Sequence, residues 1–277
     1  MRVLAALLLF ALAAACTTPP KSASVAQSRL ADAESRAAAL SKAGDYAAAA
    51  RHYAEALRLA TSLENADAIA SNAINLSVVQ QWLGRDAEAR AALSAVLDDP
   101  RTPFSERRKL QAELRRAILD LSSGNLGAAA VWAGQAERRC PELRCEYAPT
   151  ILNVRAQVEL ASGHGSDAAQ LAAAAAERSR SSGSRAETAN ALRTIGRARS
   201  LQGDQAGALD ALKQALELDR ELGDPRKILA DLAALERAAE AAGDAAAARD
   251  YRARSVAVSK AMNDGRSAAE MDVLLRR

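Results

Sequence analysis

The chain has 277 residues, 37 Lys and Arg against 34 Asp and Glu, and an aromatic content of only 3% within a hydrophobic content of 49%. Much of the apolar share is alanine, which favours helix but buries little area per residue, so many helices packed on close neighbours are expected in place of a compact core of bulky side chains. The near balance of charge, the absence of a basic run and the scarcity of rings for base stacking argue against a nucleic-acid binder.

The chain opens MRVLAALLLFALAAAC. Arg2 precedes an unbroken apolar run, Val3–Ala15, shorter than the roughly 20 residues that span a bilayer but suited to the apolar segment of an export signal. Its end, Ala13-Ala14-Ala15-Cys16, resembles a bacterial lipoprotein box, in which the cysteine is lipidated and becomes the mature N-terminus. Ala13 stands where that box prefers leucine, and Leu12 lies one place earlier, so ordinary signal cleavage or an unlipidated cysteine is the alternative. The resemblance implies a signal peptide at 1–15 and a palmitate-bearing lipid anchor on Cys16. With Thr17 and not aspartate following, it implies sorting to the outer membrane, facing the periplasm. The remainder of 16–27, TTPPKSASVAQ, reads as a flexible tether.

From residue 28 onward the chain repeats. Gly44, Gly84, Gly124, Gly163, Gly203 and Gly243 are spaced by 40, 40, 39, 40 and 40 residues. Five places after each stands a small residue: Ala49, Ala89, Ala129, Ala168, Ala208 and Ala248. Eight places before, Leu76, Ile195 and Leu235 alternate with Arg36, Arg116 and Arg155, as if the register were shifted by one residue in half of the units. Glycine accepts the left-handed conformation that ends a helix. The Asp45, Asp204 or Asp244 that follows can cap the next helix, and Asn125 is a comparable cap where Arg85 and His164 are not. Each unit therefore reads as a helix, a tight turn and an antiparallel second helix, with Tyr53, Leu57, Leu93, Leu212 and Leu216 filling the grooves between units. Polar or proline-bearing stretches around Pro100 and Pro103, Pro141, Gly183 and Pro225 separate the units.

These residues are similar to the tetratricopeptide repeat family. The fit is best through Leu192, Ile195, Gly196, Gly203, Asp204, Ala208, Leu212, Ala215 and Leu216. It recurs through Gly44, Asp45, Tyr46, Ala49, Tyr53, Ala56 and Leu57, and through Leu76, Ser77, Gly84, Ala89, Leu93 and Leu97. The departures are a period of 40 instead of the family's 34 and weaker third and fourth units. The resemblance implies an all-α, right-handed α-solenoid of about six helix-turn-helix repeats over 28–265, ended by a capping helix at 266–277. It also implies a concave trough for a protein or peptide partner. Counting back from each turn glycine, the inward-facing residues are Asn75, Arg115, Asn153, Gln157, Asn190, Arg193, Arg197 and Arg237, against Glu34 and Glu240. Such a wall suits backbone amides and carboxylates of a bound chain. The likeness to members that clamp a C-terminal carboxylate is partial, because Glu34 and Gln111 stand at lysine-type places.

Motifs for chemistry are thin. The two histidines, His52 and His164, fall in different units, and no metal-binding HExxH, nucleophile elbow or phosphate loop is present; no enzyme activity, cofactor or metal is expected. Cys140 and Cys145 bracket CPELRC; an even pair in an exported chain reads as a disulfide, with free thiols or a metal site as alternatives. The functional expectation is an envelope scaffold for protein–protein interaction. A cell-wall enzyme or glycan-binding protein using the same groove is the alternative, and a third reading is an oligomer joined through Met271, Val273, Leu274 and Leu275.

Overall fold

The computed structural model describes residues 24–275, with side chains through residue 262 apart from Leu143. The expected signal peptide, the lipidation site Cys16 and the end-helix residues Met271–Leu275 as side chains lie outside the described residues. Twelve α-helices follow one another: α1 (Val25–Ala43), α2 (Tyr46–Ser62), α3 (Ala66–Trp82), α4 (Asp86–Leu97), α5 (Glu106–Ser122), α6 (Leu126–Arg138), α7 (Ala148–Ala161), α8 (Gly165–Ser181), α9 (Arg185–Leu201), α10 (Gln205–Leu222), α11 (Pro225–Ala241) and α12 (Ala245–Leu275). Among the described residues there is no strand. The architecture is an α-solenoid of six helical hairpins.

All six turn glycines have positive φ, from 72° at Gly84 to 85° at Gly44 and Gly163, the left-handed conformation that stops each first helix. Asp45, Asp204 and Asp244 then accept from the backbone N–H groups of Ala48, Gly207 and Ala247 at 2.9, 2.9 and 3.0 Å. Asn125 departs from expectation, since its side chain makes no cap hydrogen bond. The turns between hairpins are just as tight at three junctions. Glu64 (φ 50°), Gly183 (72°) and Gly223 (67°) reverse the chain there. The longer period follows from helices such as α2 and α3, of 17 residues each, joined by three-residue turns both within and between hairpins.

At the N-terminus α1 begins at Val25, ahead of the expected start at 28. Ser24 and Gln27 form a capping box there: the Ser24 N–H donates to Gln27 Oε1 at 2.8 Å and the Gln27 N–H to Ser24 Oγ at 3.2 Å. At the other end the backbone of α12 runs without a break from Ala245 to Leu275, so the expected cap at 266–277 is a continuation of that helix as far as it is described.

Packing follows the small residues. The alanines five places after each glycine are all buried. One place after the irregular upstream position stand Ala37, Ser77, Ala117, Ala156 and Gly196 in the first five hairpins, all buried, and the half-buried Glu236 in the sixth. The register is therefore not shifted. Through the first five hairpins the seam takes a small residue at that place and leaves its neighbour free to be Leu76 or Arg116. Gly196 shows how close the approach is: a Cβ added there would lie 2.5 Å from Leu212 Cγ. The core is a string of local clusters, each drawn from adjacent hairpins. First helices touch one another in the row α3–α5–α7–α9–α11, whereas the second helices make their substantial contacts with first helices. Elements on the inside of a curve approach and those outside splay, so the first helices form the concave wall.

Candidate interaction surface

The inner wall is built from side chains one turn apart on successive first helices, which repeat at the hairpin period. Between α3, α5 and the start of α7 they enclose an open groove of about 330 Å³, lined among others by Ser71, Ile74, Asn75, Gln111, Leu114, Ile118 and Thr150. Ile118 is 36% exposed there. In the fourth to sixth hairpins the register position of Ile118 is taken by Gln157, Arg197 and Arg237. At this register position the wall thus passes from apolar to amide to cationic along the chain, while the arginines that line the groove, Arg108 and Arg115, are held by Asp67 and by Ser77 and Gln81.

The eight residues expected to face a partner divide into two groups. Asn75, Arg197 and Arg237 are exposed, and Gln157 and Asn190 are half-buried. Arg115, Asn153 and Arg193 are instead drawn into the joints between hairpins. Arg115, 8% exposed, donates from Nε to Ser77 Oγ and from Nη2 to the Ser77 carbonyl, both at 3.0 Å, and to Gln81 Oε1 at 2.6 Å. Burial pushes its pKa down to about 10, with Asp86 alone opposing. Asn153 donates to the carbonyl and carboxylate of Glu187 at 3.0 and 2.6 Å. Arg193 donates to Asp231 at 2.5 Å, to Asp219, and to Asn190 at 3.0 Å. Asn190 also accepts from Lys227 Nζ at 3.0 Å. Glu34 accepts from Asn72 at 2.6 Å, so it too belongs to a joint, while Glu240 accepts from Arg252 at 3.0 Å.

Two charge patterns result. Asp219 and Asp231 are buried side by side with Arg193 between them. Burial raises the Asp231 pKa to about 6 against the pull of Arg193, with help from Asp219. Enclosed in the joint, this acid pair is structural. Arg197 is the opposite case. Burial of its base and the like charges of Arg237 and Arg193 lower its pKa, and neither Arg197 nor Arg237 makes an ion pair among the described residues. These are cations on an open face without a counter-charge, able to take up carboxylates or carbonyl oxygens.

The joint residues Asn72, Glu187, Asp219 and Asp231 were not singled out from the sequence, although a signal exists. Asn72 and Asp231 occupy a register position held by Ala112, Ile151 and Ala191 in the third to fifth hairpins, and Asp219 one held by Ala60, Cys140 and Ser179 in others; polar residues at buried places demand partners.

Three further features complete the picture. Cys140 and Cys145 are bridged, with Cα atoms 5.5 Å apart, around a single 3-10 turn at Pro141–Leu143. His164 Nδ1 lies 2.8 Å from Glu159 Oε2, and His52 is half-buried on α2. Both tryptophans carry an arginine: Arg116 sits 5.5 Å from the Trp132 ring centroid and Arg226 4.5 Å from that of Trp82. Among the described residues no group of three or more His, Cys, Asp or Glu is placed to hold a metal ion, and no helix is long and apolar enough to cross a membrane.

No protein-family model and no curated protein sequence match the chain. Solved structures do. BtubC (BKLC) from P. vanneervenii superimposes with a TM-score of 0.55 at 19% identity, over 87% of this chain and 93% of that one. A Rap protein, solved in complex with competence and sporulation factor, superimposes with a TM-score of 0.62 at 16% identity, over 85% of this chain and 67% of that one. At these identities the likeness is one of fold alone.

Proposed function

We propose that the protein is a non-catalytic adaptor that holds an extended segment of a protein partner along its inner wall. We place it in a bacterial envelope, anchored to the outer membrane by a lipid on Cys16 and facing the periplasm. The observation that carries the binding reading is the pair Arg197 and Arg237, exposed on the concave face without an ion pair. It lies in line with the groove around Ile118 and Asn75. A segment lying there meets amide donors and apolar surface at the second to fourth hairpins and guanidinium groups at the fifth and sixth. A partner with carboxylates towards one end fits this gradient. The Rap protein that shares the fold was solved with a bound factor, which agrees with a binding role. The envelope reading rests on the N-terminal run Val3–Ala15 and the Ala-Ala-Ala-Cys ending.

The test uses Arg197→Glu with Arg237→Glu, sparing Arg193 because it holds a joint. Crosslinked partner recovered from envelopes should fall by at least about tenfold while the far-ultraviolet spectrum is unchanged; equal recovery by the folded variant overturns the binding reading. For the anchor, cells fed labelled palmitate should label the parent protein and not Cys16→Ala, and a parent that takes up no label overturns it.

A further inference from the structure

Arg226 is the second residue of α11, and Tyr46 and Trp82 are the first residue of α2 and the last of α3. In sequence 180 residues separate Arg226 from Tyr46, yet in space the three side chains form one unit. The rings of Tyr46 and Trp82 lie 4.8 Å apart, tilted by 59°. The Arg226 guanidinium stands 4.5 Å from each centroid, and its Nε donates to the Tyr46 hydroxyl at 3.2 Å. Tyr46 and Trp82 belong to the glycine-turn end of the first two hairpins, whereas Arg226 belongs to the opposite end of the sixth. The array reaches this contact by curving right round, so that one end of the last hairpin meets the other end of the first two.

Arg226 is held for this contact. Pro225 opens α11, and the Asp224 side chain accepts from the N–H groups of Arg226 and Lys227 at 3.1 and 3.2 Å, which fixes the backbone beneath the guanidinium. A cation in the first turn of a helix works against the helix dipole, so its placement is explained by the rings it meets. The joints between consecutive hairpins are of another kind. Asn72 to Glu34, Arg115 to Ser77 and Arg193 to Asp231 all sit inside helix–helix seams, while Trp82 is 40% exposed.

We infer that Tyr46 and Trp82 form a guanidinium-accepting site whose ligand is Arg226 of the same chain, and that this contact is a releasable clasp closing the superhelix. A cation–π contact shifts an equilibrium by about threefold to thirtyfold. The closed form therefore exchanges with an open one, while the helix–helix seams stay intact. Resting on the adaptor reading above, the clasp governs entry to the trough: a segment flanked by folded domains reaches the inner wall through the open form.

The test needs no partner, so its failure is distinct from failure of the adaptor reading. In the full-length chain with Trp132→Phe, Trp82 is the sole tryptophan. Arg226→Ala should raise the radius of gyration measured by small-angle X-ray scattering and raise acrylamide quenching of Trp82 at least twofold, with helical content unchanged. Arg226→Lys keeps the charge but not the planar stacking, and should give a smaller shift of the same sign. It also serves as the test should the alanine variant lose helix. Scattering and quenching that match the parent in the folded variants overturn the clasp.

Discussion

At Gly196 even a methyl group is too much. Its added Cβ would meet Leu212 Cγ and the Ala208 carbonyl oxygen, at 2.5 and 3.0 Å, and Leu212 is itself buried and cannot swing away. Gly196→Ala should therefore destabilise the protein by about 1–3 kcal/mol through overpacking, read as a lower urea midpoint with an unchanged slope. Asp231 makes a prediction of a different sort. Its folded pKa of about 6 lies above the ~3.9 of an unfolded aspartate. Between those values the folded protein binds a proton that the unfolded chain has released. The contribution is complete below ~3.9 and is lost as pH rises through about 6. From pH 4 to pH 7 the parent should lose up to about 3 kcal/mol relative to Asp231→Asn; a difference between the two that stays flat with pH contradicts this account.

Among the elements, the junction from α6 to α7 stands apart. Like Glu64, Gly183 and Gly223 at other junctions, Glu142 here has a positive φ, of 53°, but this junction alone among the described residues is also closed by a disulfide, Cys140–Cys145, and Cys140 is part of the local core with Leu114, Ala136 and Ile151. Replacing both cysteines with serine should cost about 2 kcal/mol by the loop-closure argument, checked by denaturation of variant and parent under non-reducing conditions. The hairpins and their turns were legible in the sequence because left-handed backbone selects glycine and leaves a spaced mark. The turn at Glu64 was not, since a non-glycine residue with positive φ leaves no such mark, and the half-period it reveals stayed hidden. The inner face was legible only in part. Helical phase shows which residues leave the hairpin core, but Arg115, Asn153 and Arg193 turn towards the neighbouring hairpin at Ser77, Glu187 and Asp231. That depends on the rotation between hairpins, which a single helix does not encode.

For the whole molecule, apart from the contact of Arg226 with Tyr46 and Trp82, the substantial helix contacts run along the chain from each element to its neighbours. Stability is then a sum of local units and their interfaces. Hydrogen exchange should accordingly be graded, slowest in α5 to α9 and faster in α1 and α12, as measured by mass spectrometry of peptides from the native protein; uniform protection would show a single cooperative block instead. Such an arrangement carries a hazard. A chain of near-copies offers each alanine-lined face several plausible mates, and a hairpin that skips a place, or docks on another molecule's hairpin, would bury almost as much apolar area. The polar bonds set into the seams differ from one to the next: an amide on a carboxylate between the first two, a guanidinium on a hydroxyl and carbonyl between the second and third, an amide on a carboxylate and carbonyl between the fourth and fifth, and a guanidinium between two acids at the last. A misplaced hairpin would strand a buried charge or amide without its mate, and that asymmetry gives the copies a single order of assembly.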